Sequence, residues 1–256
     1  MIDALVAHGS PGIEETGADI VGHVPASSSV DGLRAAILAA DPGASVSIAP
    51  GEVLDWSEWK ASVRAHRIGA LTVAPPWLAD ASDGAATVVI DPAMAFGTGE
   101  HATTRGVIQL IQTVVTPDSL VADLGAGSAI LSIAAAKLGA RRVVAIELDP
   151  DAESNALENI RRNGVEDRVH FIGGDAFTLL PLVAPVDLVL ANMFSSVIVE
   201  LLPAIRDSLA MSGCAILSGV LIEEREAMVG ELARGGWAVH SEHAEEGWWS
   251  ALIARR

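Results

Sequence analysis

Residues 121–139 read VADLGAGSAILSIAAAKLG, and their interpretation decides the fold. A short apolar run reaches Asp123, glycines follow at 125 and 127, and an alanine-rich stretch with helical spacing closes the segment. This is a strand, a tight turn and a helix, and small residues at such a turn let the backbone approach a ligand at the helix start. An ordinary strand-to-helix turn has the same appearance. The flanking sequence therefore has to separate the two.

From Ser119 onward short apolar runs alternate with longer helical patterns, the signature of repeated βα units and a mostly parallel sheet. Strands are expected near 119–124, 142–147, 168–173, 186–191 and 213–219. Helices are expected at 128–139, 150–163, 195–210 and 222–234, with another at 101–115 ahead of the first strand. Asp149 or Asp151 can cap the helix at 150–163, and Gly164 can end it. Beyond Gly235, GWAVHSEHA (236–244) and GWWSALIARR (247–256) leave no room for a crossover helix, so they should pair antiparallel. Residues 1–55 are rich in Gly, Ser and Pro, with one helical segment at 31–40 and a turn at Asp41-Pro42-Gly43, and are expected to form a small separate α/β domain. Residues 56–90, broken at Pro75-Pro76 and Asp83-Gly84, are expected to be a linker, leaving 91–256 for the ligand-binding sheet.

The formal charge of −17 disfavours direct binding to a nucleic-acid backbone, which wants clustered Lys and Arg, while it suits a basic protein partner. Half the residues are apolar, yet apolar stretches such as 129–136 fall well short of the roughly 18 residues that span a bilayer. The opening MIDALVAHGSPG lacks a basic start and an apolar core, so no signal peptide is expected and the cytoplasm is the expected location. The single Cys214, in GCAILSG, has no partner for a disulfide and no Cys or His at metal-ligand spacing. It is expected in the core, and no metal is expected.

VVAIELDP (143–150) ends the next strand in Glu147, twenty residues beyond Gly127, where a carboxylate can accept both hydroxyls of a ribose. A nicotinamide dehydrogenase shares this pattern. It also wants a third glycine under its pyrophosphate, and that position is Ile130 here. A methyltransferase binds no pyrophosphate and needs room for the methionine portion of S-adenosylmethionine; its usual third glycine falls at Ala129. In GGDAF (173–177), Asp175 could accept from an adenine amine and the Ala176 backbone could bond the ring, with a helix-capping Asp as the alternative. DLVLANMF (187–194) puts Asn192 where an open α/β sheet binds its ligand, unless it is an exposed loop residue. DPAMAFGTGEHATT (91–104) brings Thr103 and Thr104 to a helix start, where hydroxyls and free amides can hold a carboxylate. So dense a polar loop is usually a site.

The segments DWSEWK (55–60), VVIDPAMAFGTGEHATT (88–104), VADLGAGSAILSIAAAKLGA (121–140), VVAIELDPDA (143–152), DLVLANM (187–193) and LSGVLIEE (217–224) together resemble the ribosomal protein L11 methyltransferase (PrmA-type) family. The resemblance covers roughly residues 50–256, and AFGTGEHATT is its most specific part. It implies an α/β fold with a seven-stranded class I methyltransferase (Rossmann-like) sheet, joined to a small N-terminal domain that recognises the substrate. It implies S-adenosylmethionine as cofactor, and methylation of lysines and the N-terminal amine of one basic, large-subunit ribosomal protein. Carried over position by position, it implies cofactor contacts at Phe96, Thr103, Thr104, Gly125, Gly127, Glu147 and Asn192, with Asn192 also facing the incoming amine. Asp123, Asp175 and Ala176 join that set from the motifs themselves. Glu147 stands where the family more often has Asp, and the carboxylate is kept.

A sulfonium already makes its methyl group electrophilic, so the protein's chief task is to align a neutral amine. Neutralising a lysine at pH 7 costs about 4 to 5 kcal/mol from its reference pKa. No side chain is expected to be an indispensable base; His101 is the only candidate near Asn192, and it is expected to be structural. A monomer is expected. Three other readings share parts of the pattern: a methyltransferase for another protein lysine or a small-molecule amine, a nicotinamide-dependent oxidoreductase, and a cofactor-binding module without transfer activity.

Overall fold

The structure, a computed structural model, describes residues 5, 13–16, 19–22, 24, 28–49, 63–79, 87–91 and 99–256. The chain divides into two units, Met1–Trp59 and Lys60–Arg256. In the first, strands β1 (Ile13–Thr16) and β2 (Asp19–Gly22) pair antiparallel. Helix α1 (Val30–Ala40) begins at Ser29, whose hydroxyl accepts from the Gly32 amide at 3.1 Å and so satisfies one of the free donors of the first turn. Leu33 and Ile37, one helical turn apart, form its buried face against Leu5.

The second unit opens with a three-stranded sheet inside the stretch expected as a linker. Strand β3 (His66–Ile68) is antiparallel to β4 (Leu71–Ala74), which runs parallel to β5 (Thr87–Val89). Ile68, Leu71, Val73, Val88 and Ile90 are all buried in the main core of this unit. From His66 the segment therefore belongs to the folded body. Strands of three or four residues separated by Pro75-Pro76 are too short to show alternation in sequence.

The elements that follow are α2 (Ala102–Ile111), β6 (Leu120–Leu124), α3 (Ile130–Lys137), β7 (Arg142–Glu147), α4 (Pro150–Arg162), β8 (Val169–Gly173), α5 (Ala176–Val183) and β9 (Val186–Asn192). Then come α6 (Ser195–Ser208), β10 (Leu209–Leu221), a 3₁₀ turn at Ile222–Glu224, α7 (Arg225–Arg234), β11 (Trp237–Glu245) and β12 (Trp248–Arg255). Among the described residues the main sheet has seven strands in the order β11-β12-β10-β9-β6-β7-β8. Strands β10, β9, β6, β7 and β8 are parallel, and β12 lies antiparallel to both β10 and β11.

Both faces of the sheet are covered, which is why its central strands read as continuous apolar runs. Val121, Val143, Leu188 and Ile216 point to the side packed by α2, α3 and α4. Their neighbours Ala122, Leu124, Val189 and Leu217 point to the side packed by α5, α6 and α7. Chain order runs outward in opposite directions from the β6/β9 pair, so the topological switch point lies between these strands. Leu124 pairs with Ala191, and Gly125 and Asn192 therefore lie side by side at the carboxyl ends of β6 and β9.

Three further elements differ from expectation. Helix α5 has no counterpart in the sequence reading, because AFTLLPLV has no polar face and carries Pro181; it forms from its Asp175 cap and the fully buried Leu180. Strand β10 starts at Leu209 rather than 213, since Met211-Ser212-Gly213 reads as a turn. The helix expected at 222–234 opens with a 3₁₀ turn. Among the described residues no helix is long and apolar enough to cross a membrane.

Candidate functional site

The turn after β6 holds three residues in the left-handed region: Gly125 at φ +67, Gly127 at +51 and Ala129 at +64. For alanine that conformation costs about 1 to 2 kcal/mol. The Ala129 methyl is fully buried, which returns about 0.8 kcal/mol, so alanine is tolerated where the family pattern has glycine. The turn is tied to the neighbouring strand by backbone bonds: the Gly125 and Ala126 amides donate to the Ile146 carbonyl at 2.9 and 3.1 Å. The Gly127 amide then donates to Glu147 Oε2 at 2.8 Å, and the Asp149 amide to Glu147 Oε1 at 2.9 Å. Two amides thus fix the carboxylate at the end of β7, and each oxygen keeps a lone pair for a ligand hydroxyl.

Asp123 sits in β6 beneath this turn with no solvent exposure. Its Oδ2 accepts from the Ser132 hydroxyl of α3 at 2.7 Å. Its Oδ1 is buried and has no hydrogen-bond partner among the described residues. Burial pushes its pKa up to about 6 against the opposing Ser132 bonds, with a smaller contribution from the Glu147 charge.

Phe96 lies outside the described residues. Where the loop re-emerges, Gly99 packs so closely that a Cβ there would stand 2.4 Å from Val73 Cγ1 and 3.3 Å from Ile130 Cδ1, which brings the loop's end onto the first residue of α3. His101 caps α2: its Nδ1 lies 2.7 Å from Thr103 Oγ1, and the ring meets Trp248 edge-on at 5.0 Å between centroids. That is the structural role expected for it. Thr103 and Thr104 are both buried in the first turn of α2. The Thr103 carbonyl accepts from the Ser218 hydroxyl, itself 2.7 Å from the Ser250 hydroxyl, and Thr104 Oγ1 has no partner among the described residues.

Asn192 ends β9 opposite Ser218 of β10, and the next residue, Met193, brings its Cε to 3.3 Å from where a Cβ on Gly125 would be. Asp175 acts as the N-cap of α5, accepting from the Phe177 amide at 3.1 Å, and Ala176 is that helix's first residue. The GGDAF segment adjoins Glu147, since the Gly174 amide donates to the Glu147 carbonyl at 2.7 Å. Asp123, the glycine turn, Glu147, Asp175, Ala176 and Asn192 are thus gathered at the carboxyl ends of adjacent strands, with α2 delivering its threonines onto β10. Cys214 is half-buried against the core with its thiol pKa pushed up to about 11 by burial. Among the described residues no group of three or more His, Cys, Asp or Glu could hold a metal ion.

The sequence reading missed the asparagines of α4. Asn159 and Asn163 are buried and bond to the backbone of β5, Asp91 and the glycine turn. Asn155, Asn159 and Asn163 recur every fourth residue on the helix face that also carries buried Ala152 and Ala156. That spacing of a poor helix former was the available signal. Also missed was Arg105, nine-tenths buried at its side chain and paired with Glu245 at 3.0 Å and Glu246 at 2.9 Å, which fastens α2 to the β11–β12 turn.

A doubly wound parallel sheet closed by an antiparallel pair, with a glycine turn beside its switch point and an acidic residue at the end of the next strand, defines a Rossmann-like fold of the class I methyltransferase type. The chain belongs to the ribosomal protein L11 methyltransferase (PrmA) family, whose sequence model matches residues 17–256. It is 40% identical over 205 residues to the protein of that name from Symbiobacterium thermophilum, covering 79% of this chain and 66% of the relative. With the one from Alkaliphilus oremlandii it shares 34% identity, covering 94% of this chain and 80% of the relative. The crystal structure of the ribosomal protein L11 methylase from Lactobacillus delbrueckii subsp. bulgaricus superposes with a TM-score of 0.68 at 27% identity, covering 76% of this chain and all of that one. The chain spans about two thirds of the length of several curated relatives it matches.

Proposed function

We propose that the chain is an S-adenosylmethionine-dependent protein N-methyltransferase that modifies lysine and N-terminal amines of ribosomal protein L11. One observation carries this reading: the glycine turn, the Glu147 carboxylate and the segment following Asn192 lie at the carboxyl ends of three adjacent strands, joined by the Gly127–Glu147 bond of 2.8 Å and the approach of Met193 to Gly125. The residues fit the cofactor's chemistry. Glu147 retains acceptor capacity for a ribose diol. The buried Asp123 Oδ1, unpartnered among the described residues, is an acceptor for which an ammonium group is the natural complement, and Thr104 Oγ1 at the start of α2 offers a donor to a carboxylate. Leu148 and Phe194, 70% and 77% exposed beside Glu147 and Asn192, are apolar surfaces that ligands would cover. Asp175 and Ala176 would flank the adenine, and Phe96, with Thr103, would complete the site from the upstream loop.

When bound, the cofactor supplies an electrophilic methyl group on its sulfonium. The chain's own part is positional. Asn192 presents a carboxamide that can accept from the acceptor amine and hold its lone pair in line. Deprotonating a lysine at pH 7 costs about 4 to 5 kcal/mol, and an α-amine about 1, and a bound acceptor that covered Asn192 and displaced water there would favour the neutral amine. His101 caps α2 through Nδ1 and meets Trp248 edge-on, which favours a structural role and proton removal by solvent. The acidic surface, with a net charge of −17, favours a basic protein over nucleic acid. Such an enzyme would act as a monomer in the cytoplasm.

Labelled S-adenosylmethionine, a ribosomal protein fraction and the purified chain provide the test. One labelled band of the mass of L11, with methyl groups mapped to amines by mass spectrometry, is expected. Label on other proteins alone would redirect the substrate assignment, and no transfer to any amine would overturn it.

A further inference from the structure

Helix α4 faces β5 as if it were a further strand. Asn163 pairs with both backbone groups of Val89, accepting from its amide at 2.9 Å and donating to its carbonyl at 2.6 Å. One turn earlier Asn159 begins the same pairing, accepting from the Asp91 amide at 2.9 Å, and then departs from it. Its Nδ2 donates to the Ser128 carbonyl at 3.2 Å, inside the glycine turn. The remaining capacity is used as well: Arg162 donates to Oδ1 at 3.2 Å, and Asn155 Oδ1 accepts from Nδ2 at 3.4 Å. The side chain is fully buried, and no other residue type of this size offers an acceptor on one arm and two donors on the other.

Asp91 is the last described residue before 92–98, the segment that leads to the threonine-bearing helix. Ser128 follows Gly127, which donates to Glu147. We infer that Asn159 is a positioning residue for the cofactor site: one carboxamide sets the start of the loop against the glycine turn, so that cofactor affinity depends on a helix face that does not itself reach the ligand. The inference rests on the cofactor reading above and adds to it a residue whose influence is indirect. Asn155 backs the same clamp from the next turn, donating to the Asp91 carbonyl at 3.4 Å.

Asn163 supplies the control, because it is nearly as buried and makes comparable bonds, yet among the described residues its side chain hydrogen-bonds only to β5 and its own helix. In Asn159→Ala the dissociation constant for S-adenosylhomocysteine should rise about tenfold, the order of one lost intramolecular hydrogen bond. In Asn163→Ala it should change less than about twofold, although both variants lose similar thermal stability. The milder Asn155→Ala, at a half-buried position, should shift affinity in the same direction as Asn159→Ala by about two- to threefold. Equal weakening in the Asn159 and Asn163 variants, or unchanged affinity in Asn159→Ala, overturns the inference. Amide hydrogen exchange on the ligand-free chain keeps it separate from the cofactor assignment. Asn159→Ala should speed exchange both at Asp91 and across residues 126–129, and loss of protection at only one of these places also refutes the clamp. A wild-type chain that ignores S-adenosylhomocysteine would refute the cofactor reading, and this inference with it, even with the clamp intact by exchange.

Discussion

Replacing Asp123 with asparagine isolates the cost of a buried charge beneath the glycine turn. Its carboxyl has no exposure, one oxygen bonded to Ser132 and the other unpartnered among the described residues. Burial raises the pKa from its ordinary 3.8 to about 6. At about 1.4 kcal/mol per unit, holding the charged form in the folded state costs about 3 kcal/mol above pH 6. The unfolded chain loses this proton first, so the folded state binds the extra proton between the two values and stability falls as pH rises through that window. Below about 3.8 the penalty is absent, and above 6 it is complete. Between pH 8 and pH 5, still above the isoelectric point near 4.6, the wild type should regain on the order of 1 kcal/mol from this group. Asp123→Asn cannot titrate there. Its amide keeps an acceptor for Ser132 but buries an unpaired donor at about 1 to 3 kcal/mol, so the absolute stabilities are similar and the slope carries the information. Urea unfolding of both proteins at pH 5, 6, 7 and 8 measures it. Parallel stability curves across that range would refute a buried, raised Asp123.

Asn192→Ala should lower turnover at least about tenfold through lost alignment and weaken cofactor binding by a smaller factor, separable by single-turnover kinetics and calorimetry. His101→Ala removes the cap of α2 and should cost about 1 kcal/mol in stability, and the basic limb of the pH–rate profile should survive; its loss would make His101 a base. Gly219→Ala should cost more than about 2 kcal/mol or prevent soluble expression, because at φ +84 the new Cβ would stand 2.3 Å from the Met193 carbonyl oxygen.

The main sheet was legible because its parallel strands are buried on both faces, so runs such as 121–124 and 188–191 announce themselves by composition alone. Glu147, Asn192 and the glycine turn were legible for a related reason, since chemistry in such a sheet gathers at strand ends. Strands β3, β4 and β5 were not, because three or four residues hold too few alternations and prolines interrupt them. Asn159 and Asn163 escaped notice because a buried carboxamide that bonds to backbone leaves only its helical spacing as a trace. Asp175 shows the opposite case: the capping alternative describes its visible bonds, and its side chain is engaged before any ligand is considered.

The most direct measurement is a pair of calorimetric titrations of the purified chain, one with S-adenosylhomocysteine and one with NADH. Saturable binding of one S-adenosylhomocysteine per chain with no heat from NADH is the expected result. Binding of NADH, or indifference to both, would contradict a pocket built for a nucleoside that carries a methionine tail.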